Sequence, residues 1–112
     1  MGNIAADAKI KGTIKFVETM LIDGKVDGEI ITDKGELVVR ETGTVTADVN
    51  VRSAVIEGSV EGNITASDKV QLKQKANLTG NLKAKTLVIE EGVVFVGHCN
   101  VSPEGVKPES QS

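Results

Sequence analysis

The chain has 112 residues, 13 Lys and Arg against 16 Asp and Glu, a net charge of −3, no Trp or Tyr and only two Phe. Such a length makes one small domain, with a core only just large enough to fold alone. A mildly acidic chain with almost no aromatic side chains for base stacking is not expected to bind nucleic acid.

The first ten residues, MGNIAADAKI, hold no basic stretch leading into an apolar run, so no signal peptide is expected. The opening MGNIAA begins like a myristoylation motif, but Ala6 stands where Ser or Thr is wanted. No apolar run approaches the length of a membrane span. From Ile10 onward the chain repeats itself, and a repeat outranks local propensity as a signal. The first copy is Ile10-x-Gly12-x-Ile14, then Phe16 and the triplet Met20-Leu21-Ile22. The second is Val26-x-Gly28-x-Ile30 with Leu37-Val38-Val39, and the third Val45-x-Ala47-x-Val49 with Ala54-Val55-Ile56. The fourth is Val60-x-Gly62-x-Ile64 with Val70-Gln71-Leu72, and the fifth Leu78-x-Gly80-x-Leu82 with Leu87-Val88-Ile89. The sixth closes on Phe95-x-Gly97-x-Cys99. Triplet starts lie 17, 17, 16 and 17 residues apart.

Within each copy the period is two, with apolar residues on one side of an extended chain and polar ones on the other. Val, Ile and Thr are abundant and no helical period appears, so strands are expected. The Gly or Ala between two branched residues is expected to face a narrow lumen, where little room is left. The whole reads as an all-β, single-stranded parallel β-helix, or β-solenoid, of about six coils of about 17 residues, in which only stacking buries the interior. A left-handed hexapeptide helix is the close competitor, since three hexads give 18 residues. Its six-residue beat is not evident, and Gly/Ala spacings of 15 to 19 are loose for it, so the right-handed form is favoured. The β-helix domain spans 1–101; residues 102–112, SPEGVKPESQS, read as a disordered C-terminal tail.

Three stretches carry a family resemblance: VIEGSVEGNITA at 55–66, VQLKQKANLTGNLKA at 70–84 and LVIEEGVVFVGHCN at 87–100. In their order and phase they resemble the bactofilins, bacterial polymer-forming cytoskeletal proteins. The resemblance covers about residues 3–101. It implies a right-handed β-helix of triangular cross-section that polymerises end to end into filaments without nucleotide. It further implies a cytoplasmic scaffold for cell shape or envelope organisation, often at the inner face of the cell membrane. Members usually carry a longer N-terminal tail, sometimes with a membrane-binding segment; here the repeat begins almost at once.

Site by site, the residues argue for structure rather than chemistry. His98, the only histidine, is expected to point outward without a second His or additional Cys to complete a metal site. Cys99 stands in the inward column of Ile14, Ile30, Val49, Ile64 and Leu82 and is expected to be a buried small hydrophobe. The lone cysteine suits a reducing cytoplasm. The sequons at Asn63, Asn77 and Asn100 read as coincidence. In the outward ladder Glu29, Asp48, Asn63, Asn81 the carboxylates give way to amides after two coils and the calcium repeat of solenoid enzymes is missing, so it reads as a solvated face. No Walker loop or dinucleotide fingerprint occurs, so no nucleotide, cofactor, metal or catalytic residue is expected.

Two features point to partners. Leu21, Val38, Val55 and Val88 occupy the outward middle of the triplets, with Gln71 the polar exception. This apolar stripe is either covered by a terminal segment, unimportant, or a surface for lateral pairing of filaments or contact with a membrane or envelope protein. The ends offer no helical cap, and each terminal coil holds one Phe: Phe16 in the first, Phe95 in the last. Each suits a plug or a docking contact for a second copy of the chain. The expected function is therefore a non-enzymatic subunit stacking end to end into a homopolymer. The alternative is a monomeric or dimeric β-helical binding module presenting a flat face to a protein partner.

Overall fold

The computed structural model describes residues 2–101, and these are strands and turns without a helix. The predicted tail, 102–112, lies outside the described residues. Ten strands follow in order: β1 (Gly2–Ile4), β2 (Lys9–Lys15), β3 (Thr19–Ile22), β4 (Lys25–Ile31), β5 (Glu36–Val39), β6 (Thr44–Ile56), β7 (Ser59–Leu72), β8 (Asn77–Ala84), β9 (Thr86–Ile89) and β10 (Val94–Val101). All pairings are parallel. One ladder runs β2-β4-β6-β7-β8-β10, and the triplets form a second, β1-β3-β5-β6-β7-β9. β6 and β7 are long enough to serve both. The result is a parallel β-solenoid of about six turns, as the repeat predicts.

The register reproduces the sequence columns. Ile10, Val26, Val45, Val60, Leu78 and Phe95 stack in line, as do Ile14, Ile30, Val49, Ile64, Leu82 and Cys99. The uneven spacing has a local cause: pairing shifts between Val51↔Ala66 and Ser53↔Lys69, so β7 carries one more residue than β6 there. Burial follows the columns. Ile22, Ile30, Leu37, Ile56, Ile64, Leu72, Leu78 and Leu82 are almost wholly enclosed. Each contributes about 1.5–3 kcal/mol of transfer free energy, but only because a neighbouring coil covers it.

The glycine column differs from the expectation. Gly12, Gly28 and Gly97 are exposed and Gly62 and Gly80 half-buried, so they do not face a lumen. Their φ angles lie between 124 and 139°, a region closed to residues with a side chain. A Cβ on Gly80 would stand 2.0 Å from the carbonyl oxygen of Gly62 in the coil below. Backbone conformation and coil-to-coil approach, rather than interior space, select glycine. Ala47 escapes the requirement because its φ is not positive; it is buried instead.

A second small-residue column, Gly24, Gly43, Gly58 and Ala76, is buried at the corner after the triplets. Each following N–H bonds the preceding coil: Thr44 to Gly24 at 2.9 Å, Ser59 to Gly43 at 3.1 Å, Asn77 to Gly58 at 2.9 Å. A Cβ on Gly58 would meet the Arg40 carbonyl oxygen at 2.3 Å. In the linear sequence this column is hidden by corner lengths that vary from coil to coil.

Candidate functional site

Parallel stacking dictates what the two ends look like. β1 and β2 each pair on one side only, with β3 and β4, and β9 and β10 likewise with β7 and β8. Among the described residues both ends therefore present free strand edges, a template for another chain. They differ in the apolar surface shown. Of the five large hydrophobics most exposed among the described residues, Val88 and Ile89 lie in β9 and Val94 and Val96 in β10, the last strands of the two ladders, and Val17 alone in the first coil. Phe95 sits in β10 directly over Leu78 and is half-buried. Phe16 is also half-buried, with its N–H on the Ile31 carbonyl at 3.3 Å. Its ring lies against Gly35 of the next coil, where a Cβ would stand 2.9 Å from Cε2. Gly35 in turn donates to buried Thr32 Oγ1 at 3.0 Å, so the Phe16 ring covers a satisfied polar turn.

Cys99 corrects the sequence reading. It does stack on Leu82, but it is an exposed free thiol. The inward column is buried only where a further coil lies above, and β10 has none among the described residues. Partial burial still raises its pKa, which disfavours the reactive thiolate. Ile89, in the inward column of Ile22, Val39, Ile56 and Leu72, is exposed for the same reason, whereas Val94 and Val96 are exposed because they continue the outward columns of Asn77 and Thr79.

The outward polar ladder is ordered. Asn81 Nδ2 donates to Asn63 Oδ1 at 2.9 Å, Asn63 Nδ2 to Asp48 Oδ1 at 3.1 Å, and Thr13 Oγ1 to Glu29 Oε1 at 3.3 Å. His98, exposed as expected, continues the column above Asn81. A cleft of about 730 Å³ beside the last three coils includes Asn63, Asn81, Lys83 and His98, and its lining holds no carboxylate. A glycosidase-type acid and base pair therefore cannot be assembled there. Among the described residues no group of three or more His, Cys, Asp or Glu could hold a metal ion. The ladder acts as a brace. Asn63→Asp would stack like charges on Asp48 and remove a donor, with an expected cost of about 0.5–1 kcal/mol. Urea melts should show the deficit narrow at ~1 M salt, where screening acts within about 3 Å. A deficit unchanged by salt would assign the loss to the hydrogen bond alone.

The stripe residues align in register: Leu21 on Val38, Val38 on Val55, Val55 on Gln71 and Gln71 on Val88, with Asn3 below Leu21. They point away from the core, half-buried by their ladder neighbours and, for Val88, exposed. Charges flank the stripe in two columns. One carries Glu18, Gly35, Arg52, Asp68 and Lys85; the other Asp23, Arg40, Glu57, Lys73 and Glu90. Signs alternate from coil to coil along the second column and over the last three members of the first, and Arg52–Asp68 at 3.0 Å, Lys73–Glu90 at 3.5 Å and Arg40–Asp23 at 3.8 Å are paired. Stacked coils hold like positions about 4.8 Å apart, so alternation turns a repulsive column into an attractive one. These are exposed pairs, each contributing well under about 1 kcal/mol.

Comparison with known proteins agrees with the architecture. The family model described as bactofilin, polymer-forming cytoskeletal, matches residues 3–100. The chain is 38% identical over 98 residues to bactofilin BacO of Myxococcus xanthus, covering 88% of this chain and 77% of that protein. It is 32% identical over 92 residues to BacP of the same organism, covering 82% of this chain but only 38% of the relative. Among solved structures it is similar to the bactofilin of Thermus thermophilus, determined by cryo-EM as double helical filaments. The TM-score is 0.83 and the identity 38%, with 88% of this chain and 97% of the other covered.

Proposed function

The chain belongs to the bactofilin family, and on that premise we propose that it is a cytoskeletal filament subunit that stacks end to end without nucleotide. The observation that supports this best is the pair of ladder ends uncovered among the described residues, with exposed Ile89 and half-buried Phe95, both members of inward columns, at one of them. A free parallel edge above an open core is satisfied most simply by another coil of the same shape, which pairs the strand edge and covers the apolar residues together. Its role is that of a scaffold for cell shape or envelope organisation, not of an enzyme. The filament works in the cytoplasm, where a lone exposed thiol such as Cys99 stays reduced. The relative from Thermus thermophilus forms double helical filaments, and pairing of two filaments is carried over to this chain as part of the same reading.

Energy for growth comes from burial at the ends, so assembly needs no hydrolysis. Pelleting at low micromolar protein should be the same with ATP, with GTP, with neither, and after chelation of divalent metal. A nucleotide-dependent change in light scattering would contradict this. A monodisperse monomer in negative-stain micrographs would favour the binding-module reading instead.

A further inference from the structure

We propose that the outward face of the triplet ladder, carried by Leu21, Val38, Val55 and Val88, is the surface through which two filaments of this protein pair side by side. The inference rests on the filament reading and names the face that reading leaves open. The outward positions before Gly12, Gly28 and Ala47 are Lys9 and Lys11, Lys25 and Asp27, and Thr44 and Thr46 in the first three coils. Those after the glycines carry the Glu29, Asp48, Asn63, Asn81 column, already braced and solvated. Only the triplet face offers an outward apolar column over successive coils, Leu21, Val38 and Val55, resumed at Val88 after Gln71.

Size identifies the occupant as a second filament. Five positions about 4.8 Å apart run for roughly 20 Å, and a band ~10–13 Å wide along them covers a few hundred Å², well short of about 800 Å² per partner in a stable complex. Single subunits are therefore not expected to pair. Subunits already stacked repeat the patch at fixed spacing, and the contacts act together. The rims point the same way. Their alternating signs offer no block of positive charge to anionic lipid, whereas an antiparallel neighbour, which lays each column along its own kind, sets opposite signs together when its two-fold axis falls between two coils. Gln71 sits mid-column, where it can hydrogen-bond across the interface without introducing a charge.

The test is the doubly substituted Val38→Lys, Val55→Lys protein, viewed by negative stain and pelleted beside wild type. Paired filaments are expected for wild type and single filaments for the variant, with pelleted mass changed less than two-fold. Paired variant filaments overturn the proposal. A second measurement places Val55→Cys in a Cys99→Ser background with a short bis-maleimide. Cross-linked dimers are expected from the paired filaments and not from Thr79→Cys in the same background. Paired filaments that give no Val55→Cys cross-link also overturn it. Single wild-type filaments remove this inference alone; a wild-type monomer removes the filament reading as well. A lysine variant that stays paired but no longer floats with phosphatidylcholine–phosphatidylglycerol vesicles that wild type binds would overturn the proposal and make the stripe a membrane face.

Discussion

Phe95→Arg is expected to leave the monomer folded and to abolish its filaments. Phe95 lies in β10 over Leu78, with no coil above it among the described residues. What it still exposes, together with exposed Ile89 in the last strand of the triplet ladder, is the surface a second subunit would cover. Full burial of such a side chain contributes about 1.5–3 kcal/mol. Arg forfeits the term and brings a charge into an apolar contact, which costs more again. The loss recurs at every junction through that end, so growth should collapse rather than slow. The inner coils do not need Phe95, and the strand signal in circular dichroism should persist. The corresponding change two column members earlier, in an inner coil, is Val60→Arg. Val60 is 2% exposed, held in line between Val45 and Leu78, and a guanidinium there has no route to water. With a total stability of about 5–15 kcal/mol for a domain of this kind, that variant should not fold. Sedimentation and circular dichroism on both proteins decide the matter. A Phe95→Arg protein that still pellets takes Phe95 out of the junction; one that unfolds makes it a plug of the core.

The second large effect should come from adding one methyl group, Gly80→Ala. Gly80 has a φ of 133°, and forcing a side-chain-bearing residue there stores about 1–3 kcal/mol of strain. The new Cβ would also stand 2.0 Å from the Gly62 oxygen and 2.9 Å from its carbon. Both are backbone atoms locked in the ladder, so the coils must part to make room, and overpacking of this sort adds about 1–3 kcal/mol more. Ala47→Gly, the reverse change in the same column, should cost only the about 0.5–1 kcal/mol by which glycine loosens a strand. Urea denaturation of the two variants separates the explanations. If Gly80→Ala melts with wild type, the positive φ is not required. If both variants lose equally, column position rather than conformation sets the cost.

The solenoid was legible in the sequence because stacking is a one-dimensional problem. A parallel ladder puts equivalent residues of successive coils in contact, so burial of Ile14, Ile30, Val49, Ile64 and Leu82 forces the same residue type at a fixed beat, and the beat survives in the linear chain. The outward ladder and the triplet stripe follow from the same period of two. Tertiary structure alone decided three other things. Gly28, Gly62, Gly80 and Gly97 face backbone, not lumen, because φ and the distance to a carbonyl one coil below are properties of the stacked chain. Gly24, Gly43, Gly58 and Ala76 form a column that varying corner lengths conceal. Cys99 carries the sequence signature of a core position yet is exposed, because a column residue is buried only by the coil that follows it. The repeat determined which residues can be covered; where the stack ends decided which of them are left uncovered.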